Sequence, residues 1–168
     1  MKELKNVLII MLSLSVCLIS FIISSRTKKR VKSLEKCILM LEEMETRIIY
    51  SCDNIYSIFE ECSKNIELSF LNIFSASKSN DPLQIIWERC VESSKIYDCL
   101  KKEDVQILLS FGNLLGKTDC EGQIKNCIAH KRLLQSNLDR AVKDNEKRGN
   151  LITTLGVIGS LGIIVLLI

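Results

Sequence analysis

The residues of this sequence that bear most directly on chemistry are eight cysteines and one histidine: Cys17, Cys37, Cys52, Cys62, Cys90, Cys99, Cys120, Cys127 and His130. Thiolates and an imidazole together are the usual donors of a zinc site, and a cysteine beside a histidine can be a nucleophile with its base. No two of these cysteines form a C-x-x-C pair, and His130 is not spaced with any of them as a metal ligand would be. In an oxidising compartment so many cysteines would suggest disulfides. Most of them instead fall on the apolar stripes of predicted helices, where a thiol behaves as a small hydrophobe, so buried structural thiols are expected. His130, between charged neighbours and leucines, is expected at the surface or partly packed. Phe111-Gly112…Gly116 contains glycine, but no lysine and hydroxyl follow at the spacing a phosphate loop requires. There is no nucleophile elbow and no carboxylate–histidine ligand set. The chain is therefore expected to be no enzyme, with no metal, no cofactor and no small-molecule substrate. Its 23 basic and 20 acidic side chains give a net charge of +3. The bases are spread along helices with no aromatic platform, which excludes nucleic acid as the expected partner.

The elements that carry these residues read as helices throughout. One proline and seven glycines in 168 residues argue against a β-rich chain, and no strand-like alternation occurs. From Val31 onward Leu34, Cys37, Ile38, Leu41, Met44, Ile48, Cys52, Ile55, Ile58, Phe59 and Cys62 recur at steps of three or four, which makes one continuous apolar face. Ser51–Asn54 is the expected break, because Ser, Asp and Asn side chains compete for backbone hydrogen bonds. A short apolar segment, Ile66 to Phe74, leads into the serine-rich linker Ser75–Asn80. Asn80-Asp81-Pro82 predicts the start of a helix carrying Leu83, Ile86, Trp87, Cys90 and Val91 and ending near Tyr97. Another helix is expected from Lys102 to Leu115, with Gly116 as its left-handed stop. Thr118 and Glu121 have capping-box spacing and should open a last long helix with Ile124, Cys127, Ile128, Leu134, Leu138 and Ala141 on its apolar face.

Two blocks lie outside this pattern. From Leu151 to Ile168 there is no charge, and as a helix at ~1.5 Å per residue the run would cover about 27 Å, close to a ~30 Å hydrocarbon core. Val7 to Ser25 is a second apolar block broken only by serines. It lacks an A-x-A-like cleavage site, and Val16 stands where the lipoprotein-like box Leu14-Ser15-Val16-Cys17 needs a small residue. Arg26, Lys28, Lys29, Arg30 and Lys32 follow at once and resist translocation. The expected layout is a tail at 1–6, a transmembrane helix at 7–25, a bundle at 26–150 and a second transmembrane helix at 151–168. Arg140, Lys143, Lys147 and Arg148 precede the second block, so both charge counts place the bundle in the cytoplasm. Gly156, Gly159, Ser160 and Gly162 are small residues that permit close helix packing in lipid, although glycine is also simply common there. The expected fold class is all-α: a membrane-anchored bundle of about six helices between an N-terminal and a C-terminal transmembrane helix.

At Phe111-Gly112-Asn113-Leu114-Leu115-Gly116-Lys117-Thr118-Asp119…Gln123 the sequence resembles the stage III sporulation protein AB family of endospore-forming bacteria. That family's pattern pairs Leu-Gly with Asp three residues on and Gln four later, which falls here on Leu115, Gly116, Asp119 and Gln123. Glu45…Ile48-Ile49-Tyr50, Trp87-Glu88 and Leu155-Gly156 agree as well, and the likeness extends over the whole chain. One departure is Asn54-Ile55, where members tend to have Pro-Leu.

The resemblance implies a structural membrane component of the channel complex between mother cell and forespore, in the outer forespore membrane on the mother-cell side. It also implies a soluble domain similar to the cytoplasmic domains of type II secretion platform proteins. By that likeness the chain would link a cytosolic ATPase to the membrane assembly and associate with other stage III channel components. The matching residues Glu45, Tyr50, Trp87, Leu115, Gly116, Asp119, Gln123 and Gly156 would be structural or interaction residues. The rival reading is a membrane-tethered sensor or adaptor whose long helices form a dimeric coiled coil through the face from Leu34 to Cys62.

Overall fold

The computed structural model describes residues 2–51, 54–65, 82–94, 96–149, 154–155, 157–159 and 162. Among them all regular structure is helical. Helix α1 runs Lys2–Ser51, α2 Ile55–Ser63, α3 Leu83–Ser93, α4 Lys102–Gly112 and α5 Cys120–Asp144. A 3-10 turn at Tyr97–Cys99 lies between α3 and α4, and a π-helical segment, Asn145–Gly149, follows α5. The chain divides into two compact units, Met1–Val31 with Arg140–Ile168, and Lys32–Asp139.

In the unit Lys32–Asp139 the apolar stripe of α1 and α2 is the core. Leu34, Cys37, Leu41, Met44, Phe59 and Cys62 have no exposed surface, and Ile38, Ile48, Ile55 and Ile58 are buried with them. Met40, off the predicted stripe, is also fully buried. Ile86, Trp87, Cys90 and Val91 of α3, Val105, Leu108 and Phe111 of α4, and Cys127 and Leu134 of α5 complete this interior. The break between α1 and α2 falls where Asn54 stands, and its side chain accepts the Tyr56 N–H at 3.1 Å. That bond satisfies one of the donors a helix start leaves open, so the polar stretch does cap rather than merely interrupt.

Three boundaries differ from the sequence expectation, each for a local reason. Pro82 is itself the N-cap of α3 and supplies no side-chain bond, while Asn80 and Asp81 lie outside the described residues. Helix α3 stops at Ser93, short of Tyr97. Ser93 Oγ donates to Arg89 O and Ser94 Oγ to Val91 O, side-chain bonds that compete with continuation of the helix. Helix α4 ends at Gly112, and residues 113–117 form a turn in which Gly116 takes φ 68°.

The expected segments Ile66–Phe74 and Ser75–Asn80 lie outside the described residues, as does most of 151–168. In the first apolar block, Met11, Leu14, Leu18, Ile19, Phe21 and Ile22 are each more than half exposed. Among the described residues no helix is long and apolar enough to cross a membrane.

Candidate functional site

The residues singled out by sequence converge on the corner where α4 turns into α5. Trp87 of α3 is fully buried and donates its indole N–H to Leu108 O at 2.7 Å. Its ring lies 5.5 Å from Phe59 and 5.4 Å, edge on, from Phe111. These are favourable aromatic geometries, and the buried N–H has the partner it needs. The indole also lies directly over Gly112, where a Cβ would come 2.1 Å from Trp87 Cδ1. Only the residue without a side chain fits beneath the ring.

Past Gly112 the end of α4 exposes carbonyls with no helical partner. Asn126 Nδ2 donates to Phe111 O at 3.1 Å, and Gln123 Nε2 donates to Leu114 O at 2.8 Å and to Thr118 Oγ1 at 2.6 Å. Leu115 packs inward with 2% exposure, and Gly116 turns the chain out at positive φ. A Cβ on Gly116 would meet Leu83 Cδ1 at 2.4 Å, so both backbone conformation and space select glycine. Lys117 Nζ donates to Gln84 Oε1 at 3.1 Å and ties the turn to α3.

The start of α5 corrects the capping-box expectation. Asp119, not Thr118, is the cap: its carbonyl accepts the Gln123 N–H at 2.9 Å and its carboxylate the Gly122 N–H at 2.9 Å. Glu121 points outward and pairs with Lys125 at 2.6 Å. Thr118 instead serves Gln123, and its Cβ would stand 2.6 Å from a Cβ on Gly122. Leu115, Gly116, Asp119 and Gln123 thus share one corner, in which Gln123 bonds Leu114 O and the Asp119 carboxylate caps α5.

The other sequence-selected residues lie elsewhere. Glu45 of α1 accepts from Lys131 of α5 at 2.7 Å in a half-buried ion pair. Tyr50, at the last turn of α1, is 86% exposed. Gly156 and Ser160 lie outside the described residues, and a Cβ at Gly159 or Gly162 would meet nothing within 4 Å.

Sequence reasoning missed a buried carboxylate. Asp104 has no exposed surface, accepts the Lys101 N–H at 2.9 Å and the Asn137 Nδ2–H at 2.8 Å, and so ties the start of α4 to α5. The available signal was on α5, where Gln123, Asn126 and Asn137 occupy the apolar phase of the helix and are all buried. His130, half-buried, bonds Asn126 O through Nδ1 at 2.9 Å and approaches Ser110 Oγ with Nε2 at 3.0 Å, its ring edge on to Phe111.

Three of the buried thiols are chemically quiet. Burial pushes Cys37 and Cys127 up to about 12 and Cys62 up to about 11, with nearby carboxylates adding to the effect. They are protonated at neutral pH and poor nucleophiles. Cys120 departs from the thiol expectation, because it is disulfide-bonded. Its partner is not among the cysteines whose side chains are described. No group of three or more His, Cys, Asp or Glu side chains able to hold a metal ion occurs among the described residues.

Comparison with known proteins covers almost the whole chain. The model of the stage III sporulation protein AB family matches residues 5–168. The chain belongs to this family. Stage III sporulation protein AB of Bacillus subtilis (strain 168) is 26% identical over 149 residues, which cover 83% of this chain and 84% of that protein. A solved structure of stage III sporulation protein AB superposes with a TM-score of 0.59 at 22% identity and covers 70% of this chain and 96% of the other. At that identity the superposition speaks for the fold. Membership in the stage III sporulation protein AB family makes the chain a sporulation component that associates with other sporulation components.

Proposed function

We propose that the chain is a non-catalytic, two-pass membrane component of the channel between mother cell and forespore. Its bundle stands in the mother-cell cytoplasm and links a cytosolic ATPase to the assembly in the outer forespore membrane. The observation that carries this reading is the surface of α1 between Met11 and Ile22. Six large apolar side chains there are more than half exposed on a stretch without charge, an arrangement that is costly in water and suited to hydrocarbon. Arg26, Lys28 and Lys29 follow it and are exposed, as the cytoplasmic flank of an anchor requires. The platform role draws further support from the corner, whose hydrogen bonds are spent on holding helices at an angle.

The sensor or adaptor reading needs the α1–α2 face from Leu34 to Cys62 for a coiled-coil seam. That face is buried inside the chain itself, which removes the seam.

The test is made in sporulating cells with an exposed position of the bundle, Glu103→Cys. A membrane-impermeant maleimide should add no label beyond the parent until the membrane is opened, and the chain should co-purify with a sporulation ATPase after crosslinking. Labelling in intact cells overturns the orientation, and loss of co-purification overturns the platform role.

A further inference from the structure

Trp87, Leu115 and Gln123 are consumed by the interior of the bundle, and Tyr50 is not. It stands 86% exposed at the rim of a groove of about 880 Å³ formed by the last turns of α1 and by α2. Leu39 contributes apolar surface, and Glu42, Glu43 and Glu61 supply three carboxylates against the single guanidinium of Arg47. Arg47 is already committed, to Glu43 at 2.9 Å and Glu61 at 3.7 Å. Glu61 is held further by Lys64, and Glu43 by the Asn65 amide at 3.2 Å. Glu42 is the carboxylate left least neutralised. Its side chain is 54% exposed, and its nearest cation, Lys131 at 4.0 Å, is bound to Glu45 at 2.7 Å.

Two hydroxyls of the groove push the balance the same way. Thr46 Oγ1 donates to Glu42 O at 2.8 Å and Ser51 Oγ to Arg47 O at 2.9 Å, so each turns its proton inward and keeps acceptor lone pairs. The groove therefore presents three carboxylates, two hydroxyls with free acceptor lone pairs and one exposed aromatic face. We infer that it docks an arginine-bearing segment of a protein partner, with guanidinium groups meeting the Glu42 carboxylate and the Tyr50 ring. Arginine suits both positions, because its planar fork matches a carboxylate and it stacks on aromatic faces. Glu42 and Tyr50 lie about 12 Å apart along α1 at ~1.5 Å per residue, which an extended segment bridges with arginines about four residues apart. The inference rests on the assembly reading for its setting, but its test does not.

The test uses the full chain in nanodiscs of zwitterionic phosphatidylcholine, which offer the probe no anionic lipid. The probe is a fluorescein-labelled Gly/Ser peptide with arginine at every fourth position, beside the same peptide with citrulline in place of arginine. Fluorescence anisotropy at physiological salt should show binding of the arginine peptide and a much weaker citrulline signal. Glu42→Gln and Tyr50→Ala should each weaken binding about fivefold or more, while Glu121→Gln, an exposed carboxylate on α5, leaves it unchanged. Melting temperatures equal to the parent's establish that the variants are folded. Equal binding of the citrulline peptide, parent-like binding by both groove variants, or an equal loss in Glu121→Gln overturns the inference. So does preferential capture of a glutamate-bearing peptide through Arg47. Any of these leaves the co-purification test of the assembly reading untouched.

Discussion

Gly112 and Trp87 approach so closely that a Cβ on the glycine would stand 2.1 Å from the indole Cδ1. The ring cannot retreat, because its N–H is bonded to Leu108 O and its faces meet Phe59 and Phe111. Gly112→Ala should therefore destabilise the chain by about 1–3 kcal/mol although alanine favours helix, since overpacking outweighs propensity here. Urea unfolding would show it, and a variant as stable as the parent would mean the ring has room to move.

Asp104 and Asn137 make a second dependence. Asn137→Ala removes one donor from a fully buried carboxylate while the Lys101 N–H stays in place. A cost of about 1–3 kcal/mol follows from the unmade bond. Parent-like stability in Asn137→Ala would mean that the carboxylate finds another donor.

At the corner, Gly116→Val forces a β-branched residue to φ 68° against Leu83 and should cost about 1 kcal/mol or more, and Asp119→Ala should cost about 1 kcal/mol through the lost cap. Both losses should appear in the purified chain without any partner. If both variants melt like the parent yet block sporulation, the corner is a contact surface and its architectural role is wrong.

The buried thiols predict the direction of alkaline unfolding. Cys37 and Cys127 keep their protons to about pH 12 and Cys62 to about 11, while in the unfolded chain each ionises near the ordinary value of 9. Between those limits the unfolded state binds fewer protons than the folded one. The stabilisation these thiols lend is thus complete below pH 9 and lost as pH rises, with a slope of about 1.4 kcal/mol per pH unit for each thiol. Replacing Cys127 by alanine should flatten that slope, and an unchanged slope would assign the loss to other groups.

Much of the fold was legible in the chain because it rests on short-range periodicity. The three-and-four spacing from Leu34 to Cys62 names the buried face of α1 and α2 almost residue by residue, and Asn54 announces the break between them, because these features depend on neighbours a turn away. The left-handed turn at Gly116 is local in the same sense. What depends on a distant partner was not legible. A local rival misled as well: Glu121 has the spacing of a capping box, but Gln123, five positions after Thr118, draws it away and Asp119 takes the cap. Gly112 looks like part of a glycine loop until Trp87, 25 positions earlier, is laid over it. The burial of Asp104 likewise turns on a residue remote in sequence. Sequence determined which faces of these helices must be hidden from water, because hydrophobic burial is non-directional and follows helical phase. Tertiary structure alone decided which polar groups are hidden with them, because a hydrogen bond needs one specific partner at one distance and angle.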